Sequence, residues 1–259
     1  MATLVVLGSD DSVERGGLGV VQVAQLTGQD KSQVSRLLKT LSESGLVERD
    51  PHTRGYRLGW RFFALAARAG DRRLLEAATP VLLRLVTQLG ERVNLSVRRG
   101  REVLTVLSES PPHALQAAGW VGRTVPAYCT SSGRALLFDH RLMDLADLFA
   151  GTRFDRLGPN TPADVDELYQ RIAADRTRGF ALVEEEFEPG LVGVAAPVRD
   201  SRHQVIATVN VSAPLFRLGG ARRLRSVGKV LKDITDEMSL LLGETPDADI
   251  GPVAEGKPG

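Results

Sequence analysis

Residues 23–41 decide the fold, and they read VAQLTGQDKSQVSRLLKTL. A first helix is predicted over residues 18–27, ending at Gly28. Asp30 then opens a second helix by accepting hydrogen bonds from the free amides of its first turn, and Gln33 can complete a capping box. In that helix, apolar residues recur at the spacing of one buried face, at Val34, Leu37, Leu38 and Leu41. The stretch is therefore predicted to form two short helices joined by a tight turn.

The face opposite this buried stripe carries short hydroxyls and long cations. Such side chains contact phosphates and base edges in the major groove of DNA. A two-stranded wing is predicted over residues 46–58, with turn residues DPHTRG at 50–55. This order of elements indicates a winged helix-turn-helix. Its candidate DNA-binding residues are Lys31, Ser32, Gln33, Ser35, Arg36, Lys39, Arg49, Arg54 and Arg57.

Charge is distributed unevenly along the 259 residues. The whole chain has 33 Lys plus Arg against 32 Asp plus Glu. Residues 31–68 contain eight basic and three acidic side chains, so the remainder is net acidic. This distribution is typical of a protein in which one part contacts phosphate and another part has a different task. A solvated helical face with a chance excess of cations is the alternative.

Composition excludes several classes of protein. Apolar residues make up 42% and charged residues 25%, which are globular values. The single cysteine, Cys129, excludes an intramolecular disulfide and a multi-cysteine zinc site, and it fits a reducing, cytoplasmic compartment. No apolar stretch is long enough to span a bilayer, and the first seven residues lack the basic region of a signal peptide. No metal-ligand spacing or catalytic motif is found, so we expect no enzyme, no metal and no cofactor.

Beyond the wing, the pattern alternates helices and strands. A hairpin is predicted to turn at Arg99-Gly-Arg101. Helices are predicted over residues 59–69, about 74–89, 131–149, 164–178 and 219–242, and strands over about 180–186, 191–198 and 204–212. Residues 244–259 contain three prolines and three glycines, which predicts a disordered tail.

Four motifs together resemble the IclR family of bacterial transcriptional regulators, over about residues 4–243. The first is the 23–41 stretch. The second is GLVERD at 45–50 with GYRLG at 55–59. The third is PAYCTSSGRALL at 126–137. The fourth is GFA at 179–181, followed by EEE at 184–186, GVAAPV at 193–198 and VNVSAP at 209–214.

The resemblance implies an α+β chain in four parts. These are a winged helix-turn-helix DNA-binding domain over residues 1–58, a linker helix over 59–72, a GAF-like α/β effector-binding and oligomerisation domain over 73–243, and a disordered tail over 244–259. The implied function is an effector-responsive transcriptional regulator, which we predict to be a repressor. Its implied partners are a double-stranded DNA operator, a small organic effector and a second copy of itself, as a homodimer or homotetramer. The effectors of the family are mostly small carboxylic acids, aliphatic or aromatic.

A candidate effector site combines local chemistry with the resemblance. Thr130 and Ser131 open a helix with free amides, and Asn210 and Ser212 point to the same face of a strand. By resemblance, the effector-binding residues are Trp120, Arg123, Cys129, Thr130, Ser131, Glu184, Gly193, Asn210 and Ser212, with residues 120–123 similar to the segment that covers the cavity. Four alternatives stay open, namely that Ser131 only caps its helix, that Asn210 only satisfies sheet-edge amides, that Cys129 is a packed thiol, and that residues 184–186 are a solvated strand end.

The start of the chain departs from the family pattern. Only Ala2–Leu7 precede the polar segment GSDD at 8–11, so we expect either that the start is misassigned or that the first helix is clipped. This leaves an alternative function from another class. The chain would then be a metabolite-binding or enzymatic GAF-like protein whose clipped N-terminal domain no longer binds DNA.

Overall fold

The computed structural model describes residues 2–9, 11–12, 15–66, 72–111, 120–218 and 220–243. The predicted tail and residues 67–71 of the predicted linker lie outside these ranges. The chain forms two compact units, one from Met1–Glu76 with His113–Arg123 and one from Ala77–Pro112 with Thr124–Gly259. Among the described helices, none is long and apolar enough to cross a membrane.

The first unit contains a small helical cluster and a two-stranded sheet. Its elements are α1 (Ala2–Leu7), α2 (Val20–Thr27), α3 (Lys31–Glu43), β1 (Val47–Arg49), β2 (Tyr56–Leu58) and α4 (Trp60–Ala66). The strands pair antiparallel, with Glu48 opposite Arg57. This is the predicted order of helix, turn, helix and wing.

The turn between α2 and α3 follows the predicted chemistry with two differences. Gly28 ends α2 in the left-handed conformation at φ 66°, and Asp30 accepts from the amides of Ser32 and Gln33. Helix α2 begins two residues later than predicted, because Leu18 instead pairs with the backbone of Tyr56 in the wing. The predicted capping box is incomplete. Within this described turn the Gln33 side chain does not accept from the Asp30 amide, and the Ser32 hydroxyl donates to the Asp30 carboxylate.

The predicted buried stripe of α3 is wrong at one residue, Leu37. Val34 and Leu38 are fully buried and Leu41 is half-buried, whereas Leu37 is 36% exposed. At 100° per residue, Leu37 lies at the edge of the stripe formed by Val34, Leu38 and Leu41, and only a narrow face of α3 is buried. That face packs against the buried residues Leu7, Leu18, Val23, Val47 and Tyr56. The short α1 therefore contributes to the core through Leu7.

The second unit is built on a six-stranded antiparallel sheet in the order β5-β4-β3-β8-β7-β6. The strands are β3 (Val93–Arg99), β4 (Glu102–Glu109), β5 (Thr124–Pro126), β6 (Ala181–Glu184), β7 (Leu191–Arg199) and β8 (Val205–Pro214). The helices are α5 (Arg72–Leu89), which begins in the first unit, then α6 (Ser131–Leu136), α7 (Leu142–Leu148), α8 (Val165–Arg178), α9 (Leu215–Leu218) and α10 (Ala221–Gly243). Both α6 and α10 pack on β7, whose central residues are buried on both faces.

Most predicted elements of this unit are present, but the helix predicted over residues 131–149 is two helices. The predicted helix is interrupted between α6 and α7. In this interval the Asp139 carboxylate accepts from the Arg199 guanidinium at 2.9 Å and from the Val205 amide at 2.7 Å. These bonds hold the segment against the turn between β7 and β8. The hairpin prediction is confirmed, since Arg99 lies opposite Glu102. Strand β5 was not predicted.

The buried face of α3 yields a matched pair of variants. Leu38→Ala should lower the free energy of unfolding of the first unit by about 2–5 kcal/mol, because it opens a cavity in a closed core. Leu37→Ala should cost about 0.5 kcal/mol or less, since that side chain is exposed. Urea unfolding followed by circular dichroism measures both, and equal losses would contradict the burial described above.

Candidate functional site

The nine predicted DNA-binding residues are all exposed on α3 and the wing. On α3, the Arg36 guanidinium Nε donates to the Ser32 carbonyl at 3.4 Å, and the Lys39 ammonium lies 3.9 Å from the Glu43 carboxylate. Both contacts are at the surface, where such interactions are weak and easily exchanged for a phosphate or a base edge. The outer face of α3 is therefore available to DNA.

At the beginning of α3, the first-turn amides are already occupied. Asp30 accepts from the Ser32 amide at 2.8 Å and from the Gln33 amide at 3.2 Å. Hydrogen bonds from the Ser32 hydroxyl and from these amides lower the pKa of Asp30. Because a carboxylate fills this position, a DNA phosphate is not expected to bind at the α3 N-terminus.

The turn of the wing is stabilised by the Asp50 carboxylate. Asp50 accepts from the amides of His52 and Thr53, both at 2.8 Å, and these bonds lower its pKa. They close a turn in which Arg54 takes a positive φ of 58° at the tip. Along the strands, Arg57 lies 3.4 Å from Glu48 and the Arg49 guanidinium lies 5.3 Å from the Tyr56 ring centroid. Arg54 is thus the wing cation that lies at the tip of the turn.

Five of the predicted effector residues come together where α6 meets the sheet. Gly193 of β7 lies opposite Ser212 of β8. A Cβ atom on Gly193 would lie 2.8 Å from Ser131 Oγ and 3.3 Å from Ser212 Oγ. The Asn210 amide nitrogen lies 3.5 Å from Ser212 Oγ on the same strand. Thr130 is adjacent, at the N-cap of α6.

Helix α6 packs closely against the segment that precedes it at this point. The Thr130 hydroxyl accepts from the Gly133 amide at 3.2 Å and donates to the Pro126 carbonyl at 3.0 Å. A Cβ atom on Gly133 would lie 2.0 Å from the Ala127 carbonyl oxygen, so only glycine permits this approach. Capping is therefore the observed role of Thr130, whereas Ser131 is directed toward Gly193.

Cys129 is buried beside α6. Burial, together with the negative charge of Glu186, raises the pKa of its thiol to about 12. The thiol therefore stays protonated and unreactive near neutral pH. This environment favours the packed-thiol interpretation.

Among the remaining predicted residues, Glu184 does not lie at this point. Val183 lies opposite Gly193, so the next residue, Glu184, points to the other face of the sheet, where it is exposed. Trp120 and Arg123 belong to the first unit, and the Arg123 guanidinium lies 5.5 Å from the Trp120 ring centroid.

A buried ion cluster was missed by sequence reasoning. Arg134 of α6 lies 2.6 Å from Asp175 of α8 and 2.6 Å from Glu186, and Arg171 lies 2.8 Å from the same Glu186 oxygen. Burial raises the pKa of Glu186, and the two guanidinium groups oppose that shift. The available signal was a cation inside the apolar run GRALL at 133–137.

A second omission is the polar surface of the β3–β4 hairpin. Asn94 lies directly opposite both Asn210 and Ser108, and Ser108 Oγ donates to Asn94 Oδ1 at 2.7 Å. Ser96 Oγ donates to Asn210 Oδ1 at 3.3 Å. The signal was the alternation of polar Asn94 and Ser96 with apolar neighbours. We call the face formed by Asn94, Ser96, Ser108, Asn210 and Ser212 the polar sheet face.

A separate open groove of about 590 Å³ lies between the end of α8, the start of β6 and α10. None of the predicted effector residues lines it. Its lining residues are Arg178, Phe180, Arg225, Lys229, Lys232 and Asp233. The hydrogen-bonding side chains predicted for the effector are elsewhere, so we place the candidate site at the polar sheet face.

The close approach at Gly193 can be tested by substitution. Gly→Ala usually stabilises a compatible backbone by about 0.4–1 kcal/mol. Here Gly193→Ala should instead destabilise by about 1–3 kcal/mol, because the new methyl group meets Ser131 Oγ. Adding Ser131→Ala should recover much of the loss, with Ser131→Ala alone as the control. Urea unfolding measures all three variants, and a more stable Gly193→Ala single variant would refute the contact.

Comparison with known proteins assigns both parts of the chain. The IclR helix-turn-helix domain model matches residues 13–51, and the model for the bacterial transcriptional regulator IclR C-terminal domain matches residues 67–240. The HTH-type transcriptional regulator BhcR of Paracoccus denitrificans is 31% identical over 236 residues, covering 90% of this chain and 83% of that protein. The HTH-type transcriptional repressor AllR of Klebsiella pneumoniae is 28% identical over 219 residues, covering 84% and 80%.

A solved structure shows the same fold. The crystal structure of an IclR homolog from Microbacterium hydrocarbonoxydans, complexed with 4-hydroxybenzoate, has a TM-score of 0.75 and 23% identity, covering 94% of this chain and 99% of that one. Together, the two domain matches and the relative at 31% identity show that the chain belongs to the IclR family and is a DNA-binding transcriptional regulator rather than an enzyme.

Proposed function

We propose that this chain is an operator-binding repressor whose affinity for DNA is controlled by a small organic acid bound at the polar sheet face. The observation that carries the proposal is the contrast between two surfaces. Helix α3 and the wing expose cations and hydroxyls, whereas the polar sheet face buries neutral hydroxyl and amide groups. The first set suits a phosphate backbone with base edges, and the second suits a small polar ligand.

The proposed division of labour follows the predicted domains. Residues 1–58 bind DNA, 59–72 connect the two parts, and 73–243 bind the effector and oligomerise. The separate family matches to residues 13–51 and 67–240 support this division.

In the proposed DNA complex, α3 enters the major groove. Arg36 contacts a base edge from the exposed face of α3, and Arg54 contacts backbone phosphate from the tip of the wing. Lys39 and Arg57 exchange their weak surface contacts with Glu43 and Glu48 for phosphates. Repression is supported by similarity to AllR proteins, which are described as repressors.

The proposed effector is a small organic acid with a second polar group. Asn210, Ser212 and Ser131 supply directional hydrogen bonds, and Gly193 permits close approach. The similar protein that binds 4-hydroxybenzoate supports an aromatic hydroxy acid as one member of the class.

We further propose that the chain acts as a homodimer or homotetramer. Helices α1 and α2 expose large apolar side chains, with Val5 66% and Leu26 58% exposed. A symmetric pair would cover such residues and would place two copies of α3 on a two-fold operator.

The DNA-binding proposal is tested at Arg36. Using an operator selected from a random-sequence pool, Arg36→Ala should weaken binding about 10- to 100-fold and relax specificity at one position, because it removes a base contact. The matched control is Arg141→Ala, which removes an exposed cation from the second unit. Fluorescence anisotropy measures both variants. Unchanged affinity of a folded Arg36→Ala protein would remove this residue from the interface.

Failure to select any operator would have a different meaning. Such a result would contradict the proposed operator binding as a whole and not only the role of Arg36.

A further inference from the structure

We propose that the open groove between the end of α8, the start of β6 and α10 is a second ligand site, which binds a small phosphate monoester. Among the residues that the structure describes, its lining carries four cations and one carboxylate around Phe180, namely Arg178, Arg225, Lys229, Lys232 and Asp233. This lining lies within the second unit and does not include a residue of the polar sheet face. The inference therefore goes beyond the proposed effector function and does not depend on it.

The start of α10 has an unfavourable distribution of charge. Its first twelve residues, ARRLRSVGKVLK, contain five cations and no carboxylate. The amino-terminal end of a helix carries a partial positive charge, so cations near it are unfavourable. Arg225 and Lys229 are also one turn apart, and like charges at this spacing repel each other. The helix keeps these charges at a cost to its own stability, which is expected where they bind an anion.

Two of the lining cations are free to contact a ligand. Arg225 and Lys229 are exposed, and neither side chain forms an ion pair or a hydrogen bond within the described part of the chain. Their Cβ atoms are about 5–6 Å apart, as in any helical pair at this spacing. One phosphate group can therefore contact both side chains. Their two positive charges also balance the charge of about −1.5 to −2 that a phosphate monoester carries at pH 7.

The other two lining cations are held by carboxylates that do not line the groove. The Arg178 guanidinium donates to the buried Asp175, and the Lys232 ammonium donates to Asp236. The stem of Lys232 lies across Gly179, where a Cβ atom would be 2.7 Å from Lys232 Cε. One cation is thus fixed on α8 and one on α10, so positive charge faces the groove from both sides.

The ring of Phe180 lies between these two sides. It is 4% exposed and packs on α10 at Gly228, where a Cβ atom would lie 2.2 Å from the ring. Only glycine permits this approach, and it brings the ring next to the residue that precedes Lys229. The organic part of a ligand can therefore lie against the ring edge and the Lys232 stem while its phosphate contacts the cations.

The size and charge of the groove favour a small ligand over a nucleic acid strand. Its volume of about 590 Å³ is in the range of small-molecule sites. The basic part of α10 that lines it, Arg225 to Lys232, is about 10 Å long at 1.5 Å per residue. Immediately beyond it the helix carries Asp233, Asp236 and Glu237, which would repel an extended chain of phosphates.

Calorimetry on the full chain, with phenyl phosphate and its uncharged counterpart phenol as probes, tests the inference. Wild-type protein should bind phenyl phosphate with a dissociation constant of about 1 mM or below, and at least about tenfold more tightly than phenol. Arg225→Gln/Lys229→Gln should weaken phenyl phosphate binding about 10- to 100-fold, because charge-assisted hydrogen bonds are lost, and each single variant should be intermediate.

A matched control removes the same amount of charge elsewhere. Arg202→Gln/Arg223→Gln replaces two exposed arginines that do not line the groove, and it should bind phenyl phosphate as wild type does. An equal loss of affinity in this control would overturn the inference, and so would normal binding by Arg225→Gln/Lys229→Gln. Without ligand, that groove variant should unfold at a temperature no lower than wild type, since a repulsive pair is removed. If it is less stable, the two single variants decide the question by the same criteria.

Two further measurements separate the groove from other sites for an anion. Asn210→Ala/Ser212→Ala should bind phenyl phosphate normally, and a loss of binding would place this ligand at the polar sheet face and overturn the inference. A short DNA duplex of unrelated sequence should not displace phenyl phosphate. If it does, and if Arg225→Gln/Lys229→Gln also weakens duplex binding, the groove contacts the DNA backbone and the small-ligand assignment is wrong. Wild-type protein that binds no phenyl phosphate would overturn the inference and leave the operator and effector proposals standing.

Discussion

The buried guanidinium of Arg134 is the interaction on which the arrangement of the second unit depends. It joins three elements, because it reaches Asp175 of α8, Glu186 after β6 and the Leu182 carbonyl within β6. Removing one partner from a buried ion pair leaves an uncompensated charge and costs about 3–5 kcal/mol. Helix α6 is therefore fixed against the sheet by charge as well as by packing. Since Ser131 lies one turn before Arg134, the same contacts hold the Ser131 hydroxyl above Gly193.

This constraint explains why the polar sheet face can exist inside a folded domain. Helix α6 packs over β7 and β8, while Asn94 and Ser108 lie on the neighbouring hairpin. Buried polar groups are tolerated only when they are hydrogen-bonded, and here the side chains satisfy one another across strands. The recognition surface of the first unit works differently. Its cations are exposed and weakly paired, so they can be exchanged for phosphates without a large desolvation cost.

The elements that are specified by capping and turn residues close to them in sequence were predicted correctly. Gly28, Asp30 and the 50–55 turn each specify the backbone within a few residues, and the α2–α3 hairpin and wing were predicted from them. The prediction was less complete where burial, a helix end or a shared face depends on residues far away in the sequence. Leu37 lies at the edge of the apolar stripe of α3, where burial depends on which elements pack against it, and the break after α6 depends on Asp139 reaching Arg199. The bond from Ser96 to Asn210 spans 114 residues of sequence, so neither strand alone reveals the shared face. Glu184 and Gly193 could not be assigned to faces without the register between β6 and β7, because both faces of this sheet are covered.

In the proposed mechanism, one chain couples the exposed cations of α3 to an acid bound at the polar sheet face. The most direct measurement is operator affinity with and without a saturating acid that calorimetry shows to be bound. We predict a change in operator dissociation constant of at least about fivefold, the lower end of typical allosteric coupling. The Asn210→Ala/Ser212→Ala variant should bind the operator normally without acid and show no such change when acid is added. An operator affinity that stays the same when the acid is bound would contradict the account.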